Sequence, residues 1–143
     1  MLQIKFPEHN FRIKKQKNKH IIFDEVRKIW ITLTPEEWVR QNFLQYLIQT
    51  KKYPSSLISV EKIIKVGELK KRYDIVVYNR NLPWLIVECK EPNIAITTAT
   101  IEQVIRYNMA LSIQYFIFTN GNQNFAYEVS GNSFIELNDL PDV

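Results

Sequence analysis

Hydrophobic and polar positions in the first third of the chain predict a short hairpin followed by a helix. His20–Phe23 and Lys28–Leu33 are typical of two strands around a turn. Thr34 can cap a helix whose first position is Pro35, and Glu37 stands three residues after the cap, as in a capping box. We expect this helix to continue to about residue 50 on an apolar stripe formed by Val39, Phe43, Tyr46 and Leu47.

From residue 58 onward the pattern changes to that of strands, with one further helix. The strands are expected at residues 59–66, 72–78, 84–89, 114–119, 125–129 and 133–137. The second helix is expected over Thr97–Leu111, because its apolar residues recur at helical spacing. This order of helices and strands predicts an α/β fold in which a central mixed β-sheet is flanked by α-helices.

Length and composition indicate one globular domain. The 143 residues are 45% apolar and 24% charged, whereas disordered chains are poorer in apolar residues. No apolar run approaches the roughly 18 residues of a membrane span and the N-terminus lacks a signal-peptide core, so we expect a cytoplasmic protein without a membrane partner. One cysteine and two histidines exclude an internal disulfide and the usual zinc cage, and no phosphate-binding glycine loop is present.

The net charge of +4 is concentrated at the N-terminus. Residues 1–20 contain six basic residues and one acidic residue, which leaves the remainder of the chain at −1. We therefore expect a basic N-terminal tail over residues 1–20. Residues 51–72 add seven basic groups against two acidic ones. Such charge permits binding of a polyanion, but a flexible tail or a solvated lysine-rich face is also compatible with it.

Two carboxylates are predicted to meet in the hairpin formed by the second and third strands of the series. If its loop spans Asn79–Pro83, Asp74 faces Glu88, although opposed like charges destabilise a sheet. Lys90 follows two residues beyond Glu88 on the same side, opposite Arg72. Paired carboxylates beside an ammonium suit Mg²⁺, which could polarise a phosphoryl oxygen and activate water. The same four side chains could instead form a structural salt-bridged cluster.

Asp74 and the triplet Glu88-Cys89-Lys90 on the next strand resemble the signature of PD-(D/E)xK nucleases. Gln103 and Tyr107, four residues apart on one helical face, resemble the Gln-to-Tyr helix motif of several branches of that superfamily. Across residues 21–142 the chain is similar to the N-terminal nuclease domain of type I restriction enzyme R subunits, and more closely to the small stand-alone proteins related to it. The blocks that carry this similarity are Leu33–Gln41, Asp74–Tyr78, Leu85–Lys90 and Thr119–Gly121.

The resemblance implies a restriction-endonuclease-like fold and Mg²⁺-dependent cleavage of DNA, with Mn²⁺ able to substitute. Asp74 and Glu88 would bind the metal, and Lys90 would position or activate water and stabilise developing charge. An acidic side chain from the first helix would join them. Glu37 is our choice for that acid, and Glu36 is the alternative.

The resemblance also implies a single PD-(D/E)xK nuclease-like domain over residues 21–143 that contacts DNA. The residues expected to line the site or touch the nucleic acid are Gln103, Tyr107, Lys71 and Arg72. A homodimer or a complex with partner subunits is expected by analogy. Tyr73 replaces the proline that names the motif, and no motor domain for ATP-driven translocation is present. The alternative function is a catalytically inactive nucleic-acid-binding module of the same fold that acts with a partner.

Overall fold

The computed structural model describes residues 1–143, which form two β-sheets and two main helices. In chain order the elements are β1 (Ile13–Gln16), β2 (Lys19–Asp24), β3 (Ile29–Thr32), α1 (Pro35–Gln45), β4 (Ile58–Val66), β5 (Leu69–Asn79), β6 (Leu82–Cys89), α2 (Thr98–Asn108), β7 (Tyr115–Thr119), β8 (Asn124–Ser130) and β9 (Ser133–Leu137). A π-helical turn, Tyr46–Thr50, extends α1, and short 3-10 turns occupy Ser55–Leu57 and Met109–Leu111. None of the helices has both the length and the apolar character needed to span a membrane.

The larger sheet has six strands in the order β4-β5-β6-β7-β8-β9. Only β6 and β7 run parallel, and α2 forms the crossover between them. The other neighbouring strands are antiparallel, and β1-β2-β3 form a separate antiparallel sheet. The predicted α/β architecture, a mixed sheet flanked by helices, is confirmed.

Each face of the larger sheet is covered by one helix. Val39 and Phe43 of α1 pack in a cluster with Ile75, Val77 and Val87 of the central strands. The opposite face packs against α2 in a second cluster that includes Val76, Ile86, Ile101, Ile105 and Phe116. Because β5 and β6 are covered on both faces, they are apolar at consecutive positions. The remaining polar residues of these strands therefore stand out at one end.

The start of α1 follows the predicted local chemistry. The Thr34 hydroxyl accepts a hydrogen bond from the backbone nitrogen of Glu37 at 3.0 Å, and Pro35 occupies the first helical turn. The Glu37 carboxylate, however, bonds to Arg40 and Gln41. The cap therefore forms, while the acidic residue of the expected capping box is used for a tertiary network.

The central part of the β5–β6 register is confirmed. Ile75 pairs with Val87 and Val77 pairs with Leu85, as the predicted loop requires. The turn is tighter than predicted: Arg80 and Asn81 both have positive φ, 53° and 65°, the conformation that two-residue hairpin turns favour. A register shift between Val77 and Tyr78 absorbs the difference, so Tyr78 pairs with Pro83 rather than with Trp84.

The first twenty residues differ from the basic tail that the charge pattern predicts. Leu2 is buried, and its backbone nitrogen donates to the carbonyl oxygen of Asn124 at 2.7 Å. Residues 13–16 form β1, which pairs with β2. All four residues of β1 are exposed, so no alternation of buried and exposed positions marks the strand in the sequence.

Candidate active site

The candidate site begins where the regular pairing of β5 with β6 ends, one residue before Ile75. Here a side chain replaces the backbone ladder, because Asp74 Oδ2 accepts a hydrogen bond from the backbone nitrogen of Cys89 at 2.7 Å. Asp74 Oδ1 accepts from the Arg40 guanidinium at 3.1 Å. Burial raises the pKa of Asp74, and the Cys89 hydrogen bond and the Arg40 charge oppose that shift. Asp74 is thus fixed by both β6 and α1.

Glu88, near the end of β6, is the second carboxylate of the site. It lines a cavity of about 320 Å³ under α2, together with Thr100 and Val104 of that helix. Its Oε1 atom is buried and has no hydrogen-bond partner. Burial, and then the neighbouring charge of Asp74, raise the pKa of Glu88 to about 7. A buried acceptor without a partner costs folding free energy, and a bound group that contacts Oε1 would remove that cost.

Lys90 completes the predicted trio. It follows β6, its backbone nitrogen donates to the carbonyl oxygen of Thr119 at 2.8 Å, and its side chain lines the same cavity as Glu88. Its positive charge partly opposes the raised pKa values of Glu88 and Asp74. The structure therefore brings Asp74, Glu88 and Lys90 together at one end of the hairpin.

Asp74 and Glu88 do not share one sheet face as the alternation predicts. Asp74 is turned to Arg40 of α1, whereas Glu88 lines the cavity under α2. Their pairing is therefore across the end of the ladder, where the strands separate. The electrostatic effect of Asp74 on Glu88 persists in this arrangement.

Lys71, and not Arg72 as predicted, is the basic residue of β5 that lies beside Lys90. Arg72, expected opposite Lys90, is exposed and pairs with Ile63 of β4, while Lys71 lines the cavity with Glu88 and Lys90. The reason is an interruption in the pairing of β5 with β4. The interruption falls opposite Asp74, between the pairs Val60↔Ile75 and Lys62↔Tyr73, and Glu61 has a φ of 53° there. Val76, after the interruption, and Tyr73, before it, both pack in the cluster under α2. Before the interruption it is therefore the odd-numbered residues of β5, Lys71 and Tyr73, that face α2.

Glu36 and Glu37 of the first helix line the same cleft but differ in their bonding. Glu37 is 5% exposed, and its carboxylate accepts from Arg40 Nε at 2.9 Å and Gln41 Nε2 at 3.0 Å. Glu36 is half-buried, and its pKa is raised by burial and then by the charge of Asp74. Of the two candidates, Glu37 is committed to Arg40 and Gln41, whereas the pKa of Glu36 responds to the charge of Asp74.

Arg40 is a central residue that the sequence patterns did not single out. Its guanidinium is 6% exposed and contacts Glu37, Asp74 and Glu61. The turn after β2 extends the network, since Gln41 Nε2 donates to Asp24 Oδ2 at 2.9 Å. The only signal in the sequence was an arginine next to Val39 of the apolar stripe of α1. A buried cation among carboxylates is a tertiary feature that periodicity does not reveal.

Gln103 and Tyr107 lie on α2 but neither lines the cavity. Gln103 is exposed and Tyr107 is 58% exposed, whereas Thr100 and Val104 of the same helix contact the cavity. Tyr107 stands at its edge, with its ring centroid 5.9 Å from the Lys71 ammonium. Thr100 was missed because a threonine near a helix start has a sufficient local explanation as a capping residue.

The donor chemistry of the site fits a hard divalent cation. No group of three or more His, Cys, Asp and Glu side chains converges as a ready metal cage. Asp74 and Glu88 nevertheless supply carboxylate oxygens, one of them buried without a partner. Mg²⁺ is commonly bound through one or two carboxylates and keeps several waters. Glu88 beside the cavity, with Asp74 across the end of the ladder, therefore supplies the kind of donor that Mg²⁺ uses.

Glu88→Gln is expected to stabilise the protein in the absence of divalent ions by about 2 kcal/mol at pH 8. The folded-state pKa of about 7 exceeds the ordinary value of 4.5. Glu88 therefore destabilises the folded state increasingly as the pH rises from about 4.5 to about 7, and the full effect is present above pH 7. Below about pH 4 both states are protonated and the advantage of glutamine should vanish. Urea unfolding of both proteins at several pH values measures this, and an advantage independent of pH would contradict the prediction.

The comparisons with known proteins cover most of the chain. A family model described as "Type I restriction enzyme R protein N terminus (HSDR_N)" matches residues 35–141. Among solved structures, a fragment of a putative HsdR subunit of a type I restriction enzyme from Vibrio vulnificus YJ016 is similar, with a TM-score of 0.54 and 18% identity. The match covers 77% of this chain and 24% of that one, and it shows the shared fold. A search of curated proteins found no match.

Proposed function

The chain belongs to the family of type I restriction enzyme R protein N termini, and from this premise we propose that it is a divalent-metal-dependent nuclease that hydrolyses DNA phosphodiester bonds. The observation that carries the proposal is that Glu88 and Lys90 line one cavity, with one Glu88 oxygen buried and unpartnered, while Asp74 lies across the end of the β5–β6 ladder and raises the pKa of Glu88. Folding alone gives no reason to keep two carboxylates near each other at a buried strand end.

Each residue of the trio has a role in this proposal. Asp74 and Glu88 would hold the cation, Mg²⁺ or Mn²⁺. The bound ion would supply Lewis acidity and positive charge for phosphate hydrolysis. Lys90 would orient the attacking water and stabilise negative charge on the phosphate. Lys71, on the wall of the same cavity, would add positive charge that attracts the DNA backbone.

The direct experiment is cleavage of duplex, single-stranded and branched DNA with Mg²⁺ or Mn²⁺. An EDTA control should show no cleavage. Sedimentation or light scattering of the sample that cleaves DNA gives the molar mass of the active form. This mass tests the proposal that the active form is a homodimer or a complex with partner subunits. Cleavage that persists in EDTA would contradict the proposed metal dependence.

Glu36→Gln is expected to lower the cleavage rate by about tenfold or more, because Glu36 is the α1 acid that is not bonded to Arg40 and that the charges of Asp74 and Lys90 influence. Glu37→Gln should instead act mainly on stability, since Glu37 is bonded to the buried Arg40. Cleavage rates and urea unfolding of the two variants distinguish these effects. The reverse result, with activity lost only in Glu37→Gln at unchanged stability, would restore Glu37 as the acid of the site.

The second candidate function is a nucleic-acid-binding module of this fold that does not cleave. The observation in its favour is that the Arg40 guanidinium already neutralises Asp74 without any metal ion, at 3.1 Å. This candidate predicts DNA binding without cleavage on every substrate and with every metal. It also predicts that divalent ions do not change the unfolding temperature.

A further inference from the structure

The outer face of the β1-β2-β3 sheet is strongly basic. Residues 12–20 are all exposed, and this stretch has five basic side chains and no acidic one. The basic residues are Arg12, Lys14, Lys15, Lys17 and Lys19. The sheet lies outside residues 35–141, the range that the family model matches. Its surface is therefore an addition to the part that the family description covers.

Aromatic rings hold two of these cations in place. The Arg12 guanidinium lies 4.5 Å from the ring centroid of Phe23 and 5.3 Å from that of Trp30. The Lys14 ammonium lies 4.2 Å from the Trp30 ring centroid. Arg12 and Lys14 are two residues apart, so strand alternation places them on one side of the sheet. Side chains ordered in this way lose less conformational entropy when they bind an anion.

The opposite side of the sheet is buried and tied to the candidate active site. Ile22 and Asp24 are completely buried, and Asp24 accepts a hydrogen bond from Gln41 of α1. On the side of Arg12 and Lys14, Thr32 of β3, which pairs with Ile21, lines a polar cleft of about 530 Å³ that also contains Glu36. The basic face is therefore carried by a sheet that borders the cleft next to the carboxylate pair.

We propose that this face, centred on Arg12 and Lys14, binds the phosphate backbone of DNA independently of base sequence. Arg12 and Lys14 share this side of the sheet with Lys19, which pairs with Gln16, and these positive charges complement a regular polyanion through contacts of the salt-dependent kind. The cations cover the faces of Phe23 and Trp30, which favours contact with phosphates over stacking of bases on the rings. The choice of DNA as the polyanion rests on the proposed nuclease function. Bound DNA would lie beside the cleft that contains Glu36.

The test is the salt dependence of binding to a labelled duplex in EDTA, which separates binding from cleavage. The variant carries Arg12→Gln with Lys14→Gln. The matched control carries Lys52→Gln with Arg80→Gln, which removes the same charge from exposed positions near the β5–β6 turn. Between about 50 and about 200 mM salt, the wild type should lose about tenfold more affinity than the variant, because each phosphate contact contributes about 0.9 to the logarithmic slope.

The outcomes separate this surface from the proposed catalytic function. A reduced slope in the variant and an unchanged slope in the control support the surface. Equal slopes in wild type and variant would overturn it, even if Asp74→Asn abolishes cleavage. A reduced slope in the Arg12 and Lys14 variant, together with undiminished cleavage by Asp74→Asn, would support the basic surface and contradict the proposed nuclease site. Loss of binding to anionic phospholipid vesicles without loss of DNA binding would assign the face to a membrane and overturn the proposal.

Discussion

Lys90→Ala is expected to lower the rate of metal-dependent DNA cleavage by about a hundredfold or more, the usual contribution of a side chain that positions or relays a proton. Lys90 directly follows β6 and is an exposed residue, and it lines the cavity that contains Glu88. Its removal should therefore affect the reaction more than the fold. Single-turnover cleavage rates, measured beside urea unfolding and DNA affinity, give the three quantities needed.

The matched control for this variant is Lys52→Ala, which removes one exposed lysine from the connection between α1 and β4. Lys52→Ala should leave the rate unchanged. Lys90→Arg should give an intermediate rate, because the charge remains but the guanidinium is larger and planar. Unchanged cleavage in both Lys90→Ala and Asp74→Asn would overturn the nuclease assignment, whatever the metal dependence of the wild type.

The elements that the sequence predicted well are those with local causes. Thr34 caps α1 with its own hydroxyl, and the last strand, Ser133–Leu137, has the predicted bounds. The pairing of Ile75 with Val87 follows from two consecutive apolar runs that must both be buried. In each case the information lies within a few residues, so periodicity and capping chemistry were sufficient.

The details of the site depend on contacts that no local pattern contains. Arg72 was expected beside Lys90, but the positive φ of Glu61 interrupts the neighbouring strand and shifts the facing of β5 by one residue. A glutamate at positive φ gives no sequence signal of the kind that glycine gives. The choice between Glu36 and Glu37 likewise depended on the buried position of Arg40.

The N-terminal segment contains a strand that composition does not reveal. Its lysines indicated a basic tail, either flexible or in contact with phosphates, and β1 has no buried residue that could have indicated a strand. The strand is held by pairing with β2 and by the burial of Leu2 some ten residues earlier. Charge composition thus located the basic surface correctly along the chain, but it could not show that a sheet fixes that surface beside the site.

Arg40→Met is expected to destabilise the protein by about 3 to 5 kcal/mol, the usual cost of removing one member of a buried ion pair. Methionine retains much of the side-chain volume but leaves Glu37 and Asp74 without their shared cation. Urea unfolding at neutral pH measures the loss. As the pH falls and Asp74, whose pKa is raised by burial, becomes protonated, part of the charge left without a partner disappears, so the loss should shrink.

The control for Arg40→Met uses the same network. Adding Glu37→Gln to Arg40→Met removes one of the stranded charges, and part of the lost stability should return. Arg106→Met, at an exposed arginine of α2, should change stability by no more than about 0.5 kcal/mol. A small, pH-independent loss in Arg40→Met would mean that Asp74 does not need this cation. If Mg²⁺ restores stability to Arg40→Met more than to the wild type, then Arg40 and the metal compete for the same carboxylate, which joins the structural network to the proposed chemistry.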